Sequence, residues 1–298
     1  AEIITQEEEK INAIATTMET KLNDLQEEGE IAVNLIAKNK AVQKAFAERD
    51  REQLQNMLLE SYQEISKEMA QFQFHLPDST SFLRLHSPDR FGDDLSAFRF
   101  TVNQANQNRE LIAGIEEGKG GYGLRVVAPV EYEGEHLGTV EFGSSLGAGF
   151  LGEIESDFAG DYYLYSLTDT ENVSWEEEST NWIASTEDND SYQVNEELIS
   201  RLQTGETIIE SRGNNNLLLL PFEDYQGEVS GYFKAAFDRS QIVSSLNALA
   251  RNVIILALLG ILITLIITFL VAKKIFDPLE DFEGMFAALA LGNLNVSY

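Results

Sequence analysis

The chain is 298 residues long, has no cysteine and carries a formal net charge of −29. The missing cysteines exclude a disulfide framework, a thiol nucleophile and a cysteine zinc site. The charge excludes nucleic acid and docking on anionic lipid, because like charges repel; so acidic a surface fits either a domain exposed to a salt-rich medium or an ordinary acidic extracytoplasmic surface.

Residues 3–48 contain no proline and read as one long helix. Ile11, Ile14, Met18, Leu22, Leu25, Gly29, Ala32 and Ile36 recur at spacings of three and four, a heptad-like seam. Half of that seam is expected to pack on its own domain and the remainder on a second copy, giving a homodimer. A second helix is expected from Asp50, with Asp50 and Gln53 as a capping-box-like start and Leu54, Leu58, Tyr62 and Ile65 buried. FQFHL and SFLRLH alternate in polarity around the turn PDST and read as a hairpin. FGDD is expected to open a helix at Asp93 or Asp94 that runs to about Asn108 with Leu95, Phe98 and Val102 inward. LIAGIEEG, LRVVAPVEY and LGTVEFG follow as strands, which makes a five-stranded antiparallel sheet with a helix inserted after its second strand.

The same order recurs after about residue 160. DYYLYSL and NWIAST are strands around an acidic loop, NEELISRLQ is a short helix, and TIIESR, NLLLLPFED and GEVSGYFKAAF are strands. PVEYEGEHLGTVEFG in the first module and PFEDYQGEVSGYFKAAF in the second both read as proline, acidic turn with glycine, then a glycine-containing strand. Asp238 and Ser240 then open a helix that continues into VIILALLGILITLIITFLVA, Val253–Ala272, without a charge. At about 1.5 Å per residue that stretch spans about 30 Å, the thickness of a bilayer core, so its lipid partners lie around residues 253–272. Lys273 and Lys274 follow while only Arg251 precedes. The C-terminus is therefore expected in the cytoplasm, and residues 1 to about 250 outside the plasma membrane. The sequence begins at Ala1 with no export signal in view, so an earlier transmembrane segment is expected upstream.

A long helix, two α/β modules, a membrane helix and a cytoplasmic stub together resemble the double Cache sensor proteins. The most specific stretches are FHLPDSTSFLRLHSPDRFGDD and GIEEGKGGYGLRVVAPVEYEGEHLGTVEFG. After the membrane helix, DPLEDFEGMFAALALGNLNV resembles the start of a HAMP domain: Pro278, then Leu279, Phe282, Phe286 and Leu289 on one face, then Gly292-Asn293-Leu294, with asparagine where many HAMP domains carry aspartate. The resemblance implies an α+β fold with a long helix (1–50), two PAS-like modules (51–155 and 156–240), a membrane-crossing helix (241–272) and a partial HAMP domain (273–298). It implies a receptor that senses a small molecule outside and signals to a histidine kinase, chemoreceptor output or cyclase beyond HAMP. No catalytic sequence is present, and no cofactor is expected.

The resemblance also places the ligand in the first module, between the sheet and the helix and loops over it. The candidate ligand-binding residues are Phe74, His75, Phe82, Arg84, His86, Asp94, Arg99, Glu116, Arg125 and Glu141. Strand alternation puts Phe82, Arg84 and His86 on one face and Leu83 and Leu85 on the other. An arginine's planar fork suits a carboxylate or phosphate, so an anionic metabolite is expected. The bland alternative is that Asp94 and Glu116 hold those arginines in a buried structural network. Further alternatives are a metal on His75 and His86 with Asp78 or Asp89, calcium on WEEEST or TEDND, a pocket around Tyr163, Tyr165 and Trp182, a docked partner protein, and sensing of salt or pH. GKGGYG is expected to be a loop. No GxSxG supports hydrolysis.

Overall fold

A computed structural model describes residues 2–67, 69–118, 121–168 and 182–291. The chain divides into two units, 1–238 and 239–298. In chain order the elements of the first unit are α1 (Glu2–Ala37), α2 (Lys40–Ala47), α3 (Arg51–Ile65), β1 (Gln71–His75), β2 (Ser81–Arg84), α4 (Phe100–Asn108), β3 (Ile112–Gly118), β4 (Gly121–Tyr132), β5 (Glu135–Ser145), α5 (Ala148–Asp157), β6 (Asp161–Ser166), β7 (Ala184–Ser185), α6 (Glu196–Leu202), β8 (Ile208–Arg212), β9 (Asn215–Glu223) and β10 (Val229–Asp238). The two sheets have strand orders β2-β1-β5-β4-β3 and β7-β6-β10-β9-β8. All strand pairs within them are antiparallel. The second sheet therefore repeats the first strand for strand, as the sequence order implies.

The expected 46-residue helix is broken at Asn39. That side chain accepts from the amides of Ala41 and Val42 and so caps a new helix inside a proline-free run. Asp50 caps α3 as expected, accepting from the Gln53 amide at 2.9 Å. The helix expected from Asp93 or Asp94 begins instead at Phe100. Both aspartates are engaged elsewhere: Asp93 binds Arg84, and Asp94 accepts from the Ser96 amide and bridges Thr80. NWIAST contributes only the two residues of β7. The acidic loop 169–181, which holds WEEEST, the Lys119–Gly120 tip of GKGGYG and the Gly292-Asn293-Leu294 end lie outside the described residues.

The α1 seam packs within the chain, fully buried at Ile11, Ile14 and Met18 and half-buried at Leu22, Leu25, Ala32 and Ile36. Ile11, Ile14 and Met18 join α5 and the second sheet in one apolar core, together with Ile115, Tyr122 and Leu124 of the first sheet. Val33 and Ala37 join Phe46, Leu54, Phe72, Phe74, Leu83 and Phe142 in another. Between them Gly29 lets α1 lie against β4, where an added Cβ would stand 2.8 Å from Val126 Cγ2. What α1 exposes is a different face, with Ile31 and Leu35 beside Glu27, Asn34 and Lys38.

The second unit is described by itself. Its helix α7, Ser240–Ala290, is 51 residues long and continues through Pro278. Its segment Ser240–Phe276 is long and apolar enough to cross a membrane.

Candidate functional site

Alternation along β1 sends Phe72 and Phe74 to the helices and Gln73 and His75 to the opposite sheet face. Register places Glu141 beside Gln73, Thr139 beside His75, Arg125 beside Gly143 and Glu116 beside Gly123. Four strands thereby bring His75, Thr139, Glu141, Arg125 and Glu116 to one buried face. α4 covers part of it through Val102 and Ala105 on Val127.

Arg99, the residue that precedes α4, enters this face and joins two carboxylates. Its Nε donates to Glu116 Oε2 at 2.8 Å and its Nη2 to Glu141 Oε1 at 2.6 Å. Glu116 also accepts from the Thr101 amide and hydroxyl, each at 2.8 Å. Glu141 accepts from Gln73 Nε2 at 3.1 Å. Burial opposes the charge on Arg99, but Glu141 and Glu116 overcome it and raise its pKa. Burial likewise opposes ionisation of Glu141, yet Arg99, His75 and Arg125 hold it down to about 2. His75 is wholly buried, with Nδ1 3.1 Å from Thr139 Oγ1 and Nε2 3.4 Å from Glu141 Oε2. Burial lowers its pKa to about 3, so it is neutral and the contact with Glu141 is not an ion pair at pH 7.

Arg125 differs from Arg99. It is 4 % exposed, its Nε is buried without a hydrogen-bond partner, and its nearest carboxylate oxygen, Glu141 Oε1, is 3.9 Å from Nη1. Burial and the neighbouring Arg99 lower its pKa to about 10, against the pull of Glu141 and Glu116. The guanidinium lies over glycines. A Cβ on Gly123 would stand 2.9 Å from Cζ and Nη2, and a Cβ on Gly143 would run into Nη1. A buried guanidinium with donors to spare is a costly arrangement unless something accepts from them.

Of the ten residues expected from sequence, the structure brings His75, Arg99, Glu116, Arg125 and Glu141 together. Arg84 stands at the rim in a bidentate pair with Asp93, 2.7 and 2.8 Å. Phe74 is on the opposite face, against Phe46 at 5.3 Å. Phe82 joins it there because a bulge between Phe74 and His75 rotates β2 out of simple alternation, so Phe82 and Arg84 do not share a face. His86 lies beyond the end of β2, near the Phe72 backbone at 3.3 Å, and Asp94 is exposed. His75, Asp78, His86 and Asp89 do not assemble, and no group of three metal-ligating side chains occurs among the described residues. Gln73, Thr101 and Thr139 were not expected; their polarity on otherwise apolar strand or helix faces was the available signal.

The second module carries a buried charge at the equivalent place. Lys234 of β10 pairs with Tyr163 of β6 as Glu141 of β5 pairs with Gln73 of β1. Its ammonium is ion-paired with Asp190, donates to the Tyr192 carbonyl at 2.8 Å, and lies 4.5 and 5.1 Å from the ring centres of Tyr163 and Tyr165. Burial lowers its pKa against the pull of Asp190.

A family model described as the double sensory domain of two-component sensor kinases, a double Cache family, matches residues 4–238. Solved structures share the fold at low identity. The extracellular domain of a protein assigned as a histidine kinase, vpHK1S-Z8, is 13 % identical with a TM-score of 0.57, covering 82 % of this chain and 99 % of that one. A domain assigned to the sensory box/GGDEF family from Vibrio parahaemolyticus is 14 % identical with a TM-score of 0.56, covering 82 % and 100 %. The ligand-binding domain of Campylobacter jejuni chemoreceptor Tlp3, solved with 4-methylisoleucine, is 10 % identical with a TM-score of 0.52, covering 81 % and 92 %. No curated protein matches the sequence.

Proposed function

The chain belongs to the double Cache family of sensor domains, and from that premise we propose that it is the input half of a transmembrane receptor whose first module binds a small anionic metabolite. The observation that carries this reading is Arg125, a guanidinium buried in a glycine cradle with its Nε unsatisfied. Arg99, Glu116 and Glu141 already satisfy one another, so they hold the shape of the site and leave Arg125 to meet the ligand. A charge-assisted bond to a carboxylate contributes about 1.5–3 kcal/mol, and two such bonds with apolar contacts reach the micromolar range, about −8 kcal/mol.

The rest of the receptor follows the layout of the sequence. One residue separates β10 from α7, which crosses the plasma membrane with its lysine-flanked end in the cytoplasm and continues into a HAMP helix. Binding outside favours one of two arrangements of a homodimer, and α7 passes the change to an effector beyond HAMP. The exposed α1 face around Ile31 and Leu35 is where the second copy sits.

Thermal unfolding of the full chain in detergent, against mono- and dicarboxylates, phosphates, amino acids and amines, tests the proposal. One anionic class at about a hundredfold above its Kd should raise the midpoint by about 5 °C or more, and Arg125→Gln should lose that rise. An Arg125→Gln protein that responds as wild type does would remove Arg125 as the receptor. A second reading is favoured by the saturated pairs Arg84–Asp93 and Arg99–Glu116: salt or pH is the stimulus and no organic ligand enters. It predicts a wild type that responds to salt or pH scans and to nothing in the panel.

A further inference from the structure

The buried lysine of the second module is held unlike the buried arginine of the first. Arg99 finds its counter-charges on strands, Glu116 of β3 and Glu141 of β5. Lys234 finds its counter-charge on a segment without helix or strand, residues 187–193. Glu187, Asp188, Asn189, Ser191 and Gln193 of that segment face solvent, while the Asp190 side chain turns inward and is only 8 % exposed.

Two donors meet on that one carboxylate: the Lys234 ammonium and the Tyr165 hydroxyl both bond Asp190 Oδ2. Both donors stand on strands of the sheet, β10 and β6, and are fixed there by packing. Tyr165 stacks on Tyr232 with centres 4.9 Å apart, and Tyr163 meets the edge of Trp182 at 5.9 Å. Besides Asp190, the segment is tied to the sheet by Tyr163 Oη to the Asn189 carbonyl and Arg212 Nη1 to the Gln193 carbonyl, each at 2.7 Å, by Lys234 Nζ to the Tyr192 carbonyl at 2.8 Å, and by Asn215 Nδ2 to the Tyr192 hydroxyl. A rigid pair of carboxylate donors inside an aromatic box, filled by a carboxylate on a strap, is a receptor that carries its own occupant.

We propose that the second module holds a separate site for a small monocarboxylate, with Lys234 and the Tyr165 hydroxyl as receptors and Asp190 as an internal competitor that the free ligand displaces together with its strap. The charges define the class. One ammonium balances one carboxylate, a ligand carrying its own ammonium would bring a second cation against Lys234, and the aromatic rings favour a short apolar remainder. The site does not depend on Arg125 or on what the first module binds.

The test is chemical rescue in the full chain, followed by tryptophan fluorescence, because both tryptophans, Trp175 and Trp182, belong to this part of the sequence. Asp190→Ala should lower the unfolding midpoint by about 6 °C or more, since it strands a buried cation. Tens of millimolar formate, acetate or propionate should restore at least half of that loss, chloride at equal ionic strength should not, and the double variant Asp190→Ala, Lys234→Met should show no response. In wild type the same carboxylates should speed amide exchange across 187–193. Asp190→Asn, which keeps the shape, serves in the same comparison should the alanine variant not fold. Rescue by chloride as good as by carboxylates, rescue that survives loss of Lys234, or wild-type exchange unchanged by any carboxylate would overturn the proposal.

Discussion

His75 is a proton-sensitive joint in the first module. It touches Thr139 and faces Glu141, with Arg99, Arg84 and Asp93 also within electrostatic reach. In the unfolded chain it takes a proton below its ordinary value of 6.5; folded, burial delays protonation to about 3. Between those values the unfolded state holds more protons, so stability falls as pH falls, by up to about 1.4 kcal/mol per pH unit for one proton. Glu141 acts in the same direction at lower pH: its contribution is present above 4.5 and is lost as pH falls from there to about 2. The window from pH 6.5 to 4.5 therefore separates the histidines from Glu141; Glu117, whose pKa burial raises into that window, is the same in wild type and in a His75 variant. His75→Asn cannot take the proton, and its denaturant-derived stability should fall less steeply across that window by up to one proton's worth. The other two histidines, whose charge burial also disfavours, remain in both proteins. Equal slopes for the two proteins would mean that His75 is not held neutral.

At the scale of elements, helix α1 poses a choice between two partners for one surface. Its buried side packs on the two sheets, and Ile31, 55 % exposed, and Leu35, 69 % exposed, stand one turn apart on an exposed face. If the receptor is a dimer through this face, Ile31→Glu with Leu35→Glu should convert it to a monomer in detergent, read by light scattering, with a midpoint within a degree or two of wild type because neither side chain is in a core. A dimer that survives both charges places the contact elsewhere.

The elements also show what local sequence could and could not reveal. Alternation in FQFHL was enough to find β1 and to set Gln73 and His75 against Phe72 and Phe74, because one face of the strand must meet an apolar core; LRVVAPVEY is apolar on both faces, so the face of Arg125 is decided by register with β5. Arg99 was read as a residue of the inserted helix, but it precedes α4 and its partners Glu116 and Glu141 lie 17 and 42 residues away, a pairing that register alone decides. Asp93 and Asp94 look like caps, yet a nearby arginine and a turn amide claim their oxygens first. Asn39 looks like helix interior and acts as a cap. Lys234 drew no notice within the strand GEVSGYFKAAF; its counter-charge, Asp190, lies 44 residues upstream in an acidic run that reads as solvated surface.

At the scale of the whole sensor unit, the two modules are coupled by backbone as well as by the shared core. Ile115 of β3 pairs with Asp224, and the Tyr225 amide donates to the Ile115 carbonyl at 3.0 Å, so the β9–β10 turn of the second module docks on the outermost strand of the first. The next residue along β3 is Glu116, which holds Arg99, so a rearrangement of the ion network is one peptide unit from the second module. Tyr122 adds a side-chain link, its hydroxyl donating to the Ser230 carbonyl at 3.1 Å. Gly114 makes the docking possible. Its φ is +151°, and a Cβ there would stand 2.6 Å from Tyr225 Cα, a backbone atom that cannot step aside. Gly114→Ala must therefore push the turn off the strand while leaving each sheet's own core intact. In wild type the tryptophan signal, which belongs to the second module, and the far-ultraviolet circular dichroism, which follows both, should report one midpoint. In Gly114→Ala the two midpoints should separate by several degrees. If they still coincide, the apolar core around Tyr122, Leu124 and Phe233 joins the modules by itself, and a signal from Arg125 would have to travel through that core rather than along β3.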